Sequence, residues 1–225
     1  MALAMLGFFL LLQEAFRCKE LQRPRLRSTK AVHHSLRQLK RLANNLSAHP
    51  TQLAEITPAV HPQVVEACDA AGARMGGVFF FLGLDGCQQA RLWRRKFPHS
   101  MQRSLVTHAN PARSINNSNL ELCGNVAHHH VVADLLDIRE RTVWTGLDNM
   151  ANVHWNQKGS TTTMGPAACL LQAQALHQWK HQCVPLHDCV LGTANALADD
   201  CSQPWTLTDN ALLSCFDARH PQPTS

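Results

Sequence analysis

Residues 64–84 read VVEACDAAGARMGGVFFFLGL, and this stretch indicates the fold more strongly than any other part of the chain. Its two apolar runs, at 64–72 and 76–84, are typical of β-strands, and Gly72, Gly76 and Gly77 predict the turn that joins them. Asp69 lies within the first run, where an unpaired carboxylate is costly to bury. Considered alone, Asp69 is better explained as a strand-edge residue that caps the turn.

The segments after this hairpin predict an alternating α/β order. A third strand is expected at 88–98, and a strand at 141–148 should lead into a short helix. Helices are expected at 117–137 and 165–182, followed by a last strand at 183–192 and two closing helices. This order predicts a mixed sheet with helices on both faces, whose first three strands are antiparallel.

Four acidic residues lie within or at the ends of these predicted elements. Asp69 is on the first strand, Glu121 begins the first long helix, Asp148 ends a strand, and Asp199 opens a late helix. Each has an ordinary explanation by itself, such as a first-turn helix acid for Glu121 or an N-cap for Asp148. The predicted topology, however, brings all four to one edge of the sheet. Carboxylates that are this close repel one another unless cations neutralise them. Such a cluster suits two-metal phosphodiester hydrolysis, with hard divalent ions about 3.5–4 Å apart.

Charge is distributed unevenly along the 225 residues. Residues 1–50 carry nine Lys and Arg against two Glu, whereas the remainder carries twelve against fourteen acidic residues. A basic arm ahead of an acidic domain fits a polyanionic partner such as a nucleic acid, although a solvated amphipathic helix explains the charge as well. The organisation predicted from this is a basic helical connection segment at 1–62, a domain at 63–217 and a tail at 218–225. Three prolines mark the first boundary: Pro50, Pro58 and Pro62.

The compartment is predicted from cysteines and from the N-terminus. The nine cysteines are odd in number and irregularly spaced, and no CxxC occurs, which favours free thiols in a reducing environment. The apolar start, MALAMLGFFLLL, lacks a basic n-region and a small-residue cleavage site, and it is too short to span a bilayer. We therefore expect an intracellular protein, cytoplasmic or nuclear, that is not secreted and has no membrane partner.

Four short motifs resemble a known family. DAAG…MGGVFF, NSNLELCG, LDN…VHWNQKGSTTT and GTANALADDCS look like the ribonuclease H domain that follows reverse transcriptase in retroelements, most of all in the DIRS-like, tyrosine-recombinase class. The resemblance covers about residues 64–217 and implies a ribonuclease H-like five-stranded mixed sheet. It also implies cleavage of the RNA strand of RNA–DNA hybrids with Mg²⁺, or Mn²⁺ in its place. The polymerase portion of the same polyprotein is an implied partner. Carried over by position, the catalytic metal ligands would be Asp69, Glu121, Asp148 and Asp199.

The chain also departs from that family. Arg74, Leu147 and Gln203 replace the residues usual at their positions, and the chain contains no Tyr, as in a decayed or fragmentary element copy. Two alternatives therefore stay open: a catalytically inert nucleic-acid-binding remnant, and an integrase-like DNA-processing core. The second would normally use three acids without the NALADD segment, so Asp199 argues against it.

Several further residues have candidate roles. Adjacent helix positions point in different directions, so the tract His128–His130 cannot chelate one ion, and one of the three is expected to pack inward. His187 is a candidate proton shuttle. Candidate readers of the 2′-hydroxyl are Asn117, Asn149 and Gln157. Contacts to phosphates are predicted for Trp93, Arg94, Arg95 and Lys96, although a half-exposed strand face explains these four equally well.

Overall fold

The computed structural model describes residues 30–45, 61–161, 165–203 and 207–221. In chain order its elements are α1 (Lys30–Asn45), β1 (Val64–Ala71), β2 (Arg74–Leu82), β3 (Gln88–Lys96), α2 (His99–Gln102), α3 (Asn117–Leu135), β4 (Thr142–Leu147), α4 (Met150–Lys158), α5 (Pro166–His181), β5 (Val184–Cys189), a 3-10 turn (Gly192–Asn195), α6 (Ala196–Ser202) and α7 (Asp209–Arg219).

The strands form one five-stranded sheet in the order β3-β2-β1-β4-β5. β2 is antiparallel to both β1 and β3, whereas β4 runs parallel to β1 and β5 parallel to β4. Parallel neighbours need a crossover connection, and α3 precedes β4 while α4 and α5 link β4 to β5. This is the ribonuclease H-like arrangement of strands, and it confirms the predicted fold class.

The first hairpin differs from the sequence prediction in the position of its glycines. Only Gly72 lies in the turn, with a φ of 59° that glycine adopts without steric cost. Gly76 and Gly77 lie within β2 instead. A Cβ on Gly76 would be 2.5 Å from Cys201 Cβ of α6, and a Cβ on Gly77 would be 2.5 Å from His128 Nδ1 of α3. These two glycines therefore let a helix approach closely on each face of the sheet.

Separate apolar cores lie on the two faces because side chains alternate along each strand. Under α3, the buried cluster consists of Val64, Phe79, Val132, Ile138, Val143 and Cys183. On the opposite face, Phe216 of α7 packs against Val78 and Ala90, with Leu197 of α6 beside them. β1 thus lies between α3 on one side and α6 on the other, which is the arrangement that positions the candidate site.

The helix predicted around Val32 and Leu39 is present as α1. Val32 is 5% exposed, and Leu39 packs against the buried Ala175 of α5, as do Leu176 and Trp179 of the same helix. The rest of the basic segment, including the apolar N-terminus, lies almost wholly outside the described residues, so the predicted domain boundaries stay predictions. None of the helices in the described ranges has the length and apolar character needed to cross a membrane.

Candidate metal centre

Asp69 is held in the middle of the sheet, on the face that α6 covers. It pairs with Gly76 across the β1–β2 ladder, and its side chain is 9% exposed. The hydroxyl of Ser202 on α6 donates a hydrogen bond to Asp69 Oδ2. The Asp69 carboxylate therefore has a partner on a helix and is not the turn cap that a strand-edge position suggests.

Asp148 directly follows β4 and is exposed. The next residue, Asn149, caps α4: its side-chain oxygen accepts hydrogen bonds from the backbone N–H of Ala151 at 3.0 Å and of Asn152 at 3.2 Å. The N-cap explanation for Asp148 therefore does not apply, since its neighbour performs that role.

Asp199 lies within α6, and the adjacent Asp200 points elsewhere. Asp200 forms an ion pair with Arg219 of α7 at 3.1 Å, with its side chain 49% exposed. Consecutive helix residues point about 100° apart, so only one of the two aspartates can face Asp69. The structure brings Asp199 to Asp69, as the sequence predicted.

Asp69, Asp148 and Asp199 come together as one group. Each offers a carboxylate oxygen, and these three oxygens lie within 4.8 Å of one another. They come from three elements: a strand, the end of a parallel neighbour and a helix on the sheet face. The position of β1 between β2 and β4 makes this convergence possible.

Repulsion among the carboxylates is evident in the pKa values of Asp148 and Asp199. Partial burial, followed by the charge of Asp69, raises the pKa of Asp148. Burial, followed by the charges of Asp69, Asp148 and Asp200, raises the pKa of Asp199 to about 6. A cation among them would relieve this repulsion.

The donor set fits a hard divalent cation. All three ligand atoms are carboxylate oxygens, which Mg²⁺ prefers, at about 2.1 Å in octahedral geometry. Donor oxygens around such an ion are about 3–4.2 Å apart, and the three carboxylate oxygens, all within 4.8 Å of one another, lie near that spacing.

Glu121 lies at the margin of this group and is not one of its three members. Asn117, one turn earlier in α3, donates to Glu121 Oε1 at 2.5 Å. Burial raises the pKa of Glu121 to about 7, with further increases from the charges of Asp148 and Asp69 and a partial offset from a hydrogen bond with Asn149. The charges of Asp148 and Asp69 thus act on the Glu121 carboxylate, but its role as a metal ligand stays a prediction.

The candidate contacts to nucleic acid have varied surroundings. Arg94 is mostly buried and donates to Asp209 Oδ1 at 2.7 Å and to the Leu207 carbonyl at 2.9 Å. Trp93 Nε1 donates to His128 Nδ1 at 2.6 Å. These two side chains therefore have partners within the protein, whereas Arg95 and Lys96 are exposed. The phosphate contacts of all four residues stay predictions.

The prediction for the histidine tract was wrong in one respect. Both His128 and His129 are buried, at 0% and 2% exposed, and only His130 is exposed. The reason is Glu66 on β1, a 1%-exposed carboxylate that lies 3.4 Å from the Nε2 atom of each buried histidine. Thr145 Oγ1 also donates to Glu66, at 2.6 Å. Sequence reasoning missed Glu66, although its separation of three residues from Asp69 on one strand already places it on the opposite face.

His187 belongs to the same buried polar network. It is 5% exposed, and its Nε2 lies 3.3 Å from Asn125 Nδ2 and 3.4 Å from Gln174 Nε2. A proton shuttle exchanges protons with solvent, so this enclosed position does not support the predicted shuttle role.

Solved structures similar to this chain include ribonucleases H. The RNase H1 of Halobacterium salinarum NRC-1 is 15% identical, with 68% of this chain and 98% of that chain covered and a TM-score of 0.42. LC11-RNase H1, isolated from compost, is 11% identical over 69% of this chain and 99% of that chain, with a TM-score of 0.45. The protease-reverse transcriptase of prototype foamy virus is 10% identical, with a TM-score of 0.32 over 80% of this chain and 21% of that chain.

Comparison of the sequence with protein-family models and with curated proteins gave no match. The assignment of the fold therefore depends on the strand order and strand directions described above.

Proposed function

We propose that the protein is a metal-dependent endonuclease that hydrolyses the RNA strand of RNA–DNA hybrids. The observation that carries the proposal is the convergence of Asp69, Asp148 and Asp199, whose carboxylate oxygens lie within 4.8 Å of one another. Three carboxylates at this spacing suit divalent ions better than they suit acid–base catalysis by side chains alone. Bound divalent ions would lower the pKa of an attacking water and stabilise the leaving 3′-oxygen.

The exposure of each acidic residue suggests its role at the site. Asp69 is nearly enclosed and would hold an ion on its inner side, whereas the exposed Asp148 would face the phosphodiester. Asp199 would close the group from α6. Asn117 is exposed beside Glu121, where a side-chain amide could recognise a 2′-hydroxyl in the wide, shallow minor groove of a hybrid.

The retroelement context is part of the same proposal. The motifs around Asp69, Glu121, Asp148 and Asp199 resemble the domain that follows a reverse transcriptase, most of all in DIRS-like elements. The exposed Arg37, Lys40 and Arg41 of α1 are suited to a polyanion that extends beyond the carboxylate group. A polymerase portion of the same polyprotein would be the partner, and Mg²⁺, or Mn²⁺ in its place, the cofactor.

The test is cleavage of an RNA–DNA hybrid with a label on each strand, with Mg²⁺ and with EDTA. We expect the wild type to cut the RNA strand only when Mg²⁺ is present, and Asp148→Asn to abolish cutting. Hybrid binding should remain or become tighter in that variant, because a metal ligand is lost but so is a charge that repels phosphate.

Asp217→Asn is the matched control, since it makes the same charge change at an exposed position on α7 and should cut normally. Cutting by Asp148→Asn would contradict the two-metal scheme. Hybrid binding without cutting by the wild type would favour the inert remnant, and cutting of duplex DNA in place of hybrid would favour the integrase-like core.

A further inference from the structure

We propose that Ser202 is a positioning residue for Asp69: its hydroxyl holds one carboxylate oxygen so that the other faces the bound ions. This role rests on the proposed function, because it has a purpose only if Asp69 is a metal ligand. It assigns to α6 two tasks at the site, one through Asp199 and one through Ser202.

The hydrogen bond from Ser202 is shielded from water. Ser202 is 0% exposed, and its hydroxyl donates to Oδ2 of Asp69, which is itself 9% exposed. The other acceptor within reach is the Asp199 carbonyl at 3.3 Å, one turn back in the same helix. A hydroxyl has a single proton to donate, and the charged carboxylate is the stronger acceptor.

α6 is held against the sheet at the point where this bond forms. Gly76 pairs with Asp69 in the ladder, and a Cβ there would be 2.5 Å from Cys201 Cβ and 2.9 Å from its carbonyl carbon. Ala198 and Cys201 are 0% and 2% exposed, so the helix is anchored on both sides of Asp199. This close approach leaves Ser202 little freedom to move away from Asp69.

The spacing within α6 places both functional groups on one side of the helix. Residues three apart are neighbours on a helix surface, so Asp199 and Ser202 reach the Asp69 carboxylate together. The terminal torsion of an aspartate side chain is broad, and the charges of Asp148 and Asp199 would turn Asp69 away from them when no ion is bound. The Ser202 hydroxyl opposes that rotation and keeps the oxygen pair in the orientation that an ion needs.

Loss of a group that orients a metal ligand weakens metal binding by about 10–100-fold. We therefore expect Ser202→Ala to raise the Kd for Mn²⁺ by that factor, as measured by electron paramagnetic resonance of free Mn²⁺ and by calorimetry without nucleic acid. The Mg²⁺ concentration for half-maximal cleavage should rise in parallel, and saturating Mg²⁺ should restore the rate.

Thr145→Val is the matched control. It also removes a buried hydroxyl that donates to a carboxylate, in this case to Glu66 on the other face of β1. Both variants should lower the midpoint of thermal unfolding, but Thr145→Val should leave the Kd for Mn²⁺ within about twofold of wild type, because Glu66 does not face the ions. Ser202→Cys has nearly the size of serine and a weaker donor, so it should bind with an intermediate Kd and provides a folded variant if Ser202→Ala does not fold.

If every Ser202 variant that folds binds Mn²⁺ with the wild-type Kd, the positioning role is overturned, while the proposed function still stands. The role would also fall if Thr145→Val raised the Kd as much as Ser202→Ala, since the effect would then be a general loss of stability. A wild type that binds no Mn²⁺ would overturn the proposed function and the positioning role together.

Discussion

Replacing His187 by Gln should flatten the dependence of folding stability on pH. His187 is 5% exposed, and its Nε2 faces the side-chain amides of Asn125 and Gln174 at 3.3 and 3.4 Å. An amide nitrogen donates its hydrogen, so the imidazole nitrogen accepts and the ring is neutral. Burial, then the charge of His129, lowers the pKa of His187 to about 3, against a small opposing effect of Glu66.

The direction in which stability changes with pH follows from comparing proton binding in the folded and unfolded states. In the unfolded chain the imidazole has its ordinary pKa of 6.5, so below that pH the unfolded state binds a proton that the folded state excludes. The contribution of this neutral histidine to stability is therefore full above pH 6.5 and is lost as the pH falls toward 3. Between pH 7 and pH 5 the loss amounts to about 2 kcal/mol.

Other groups also change the stability as the pH falls, but their contributions are common to the variant and the wild type and cancel in the difference between them. Burial lowers the pKa of His177 to about 3, which adds to the loss in acid. The raised pKa values of Asp199 and Glu121 act in the opposite direction, since these groups take up protons in the folded state. The histidines hold the pKa of Glu66 at about 2 despite burial, so its contribution is lost only below its ordinary value of 4.5.

The measurement is the free energy of unfolding from urea titrations at pH 7, 6 and 5, in EDTA. Gln keeps an oxygen that can accept from the two amides but does not titrate. Wild type should lose about 2 kcal/mol more than His187→Gln between pH 7 and pH 5, whereas the exposed His154→Gln should follow the wild type. Parallel curves for wild type and His187→Gln would refute the claim that His187 is neutral because it is buried.

Three further outcomes are expected. In Mg²⁺ titrations, Asp199→Asn should weaken metal affinity more than Asp200→Asn does, because Asp200 pairs with Arg219 outside the carboxylate group; the reverse order would overturn the assignment. Gly76→Ala should cost about 1–3 kcal/mol in urea unfolding, since its Cβ would overlap an atom 2.5 Å away in α6, and an unchanged midpoint would contradict that packing. Deleting residues 1–62 should leave the remainder folded by circular dichroism while reducing both hybrid affinity and its dependence on salt, and failure to fold would refute the predicted linker.

The sequence predicted the elements well because their signals are local. The hydrophobic runs of β1 and β2 depend on neighbours within a few residues. The acidic set was found in the same way, since Asp69, Asp148 and Asp199 each stand at a recognisable position in an element. Their convergence at one edge of the sheet was predicted from the topology, and the structure places the three carboxylates close to one another.

The errors concern contacts between distant segments. Gly76 and Gly77 suggested a turn because glycine usually marks one, whereas in β2 they make room for α6 and α3. The partners of His128 and His129 include Glu66, about 60 positions earlier, and no periodicity within a helix reveals a carboxylate across the interface. Ser202 was missed for the same reason, because a serine late in a helix has no local sign of its acceptor.

The two carboxylates of β1 also determine how the sheet must assemble. Glu66 lies opposite Thr145 in the parallel register with β4 and faces the histidines, while Asp69 faces α6. A slip of one residue would exchange the faces, placing Asp69 beneath α3 and Glu66 beneath α6. A slip of two would restore the faces but move Glu66 away from Thr145, leaving a buried charge without its donor. Misregistered sheets are thus penalised at two points on one strand, so the correct pairing of β1 with β4 and the gathering of the three aspartates should occur as one cooperative event in folding.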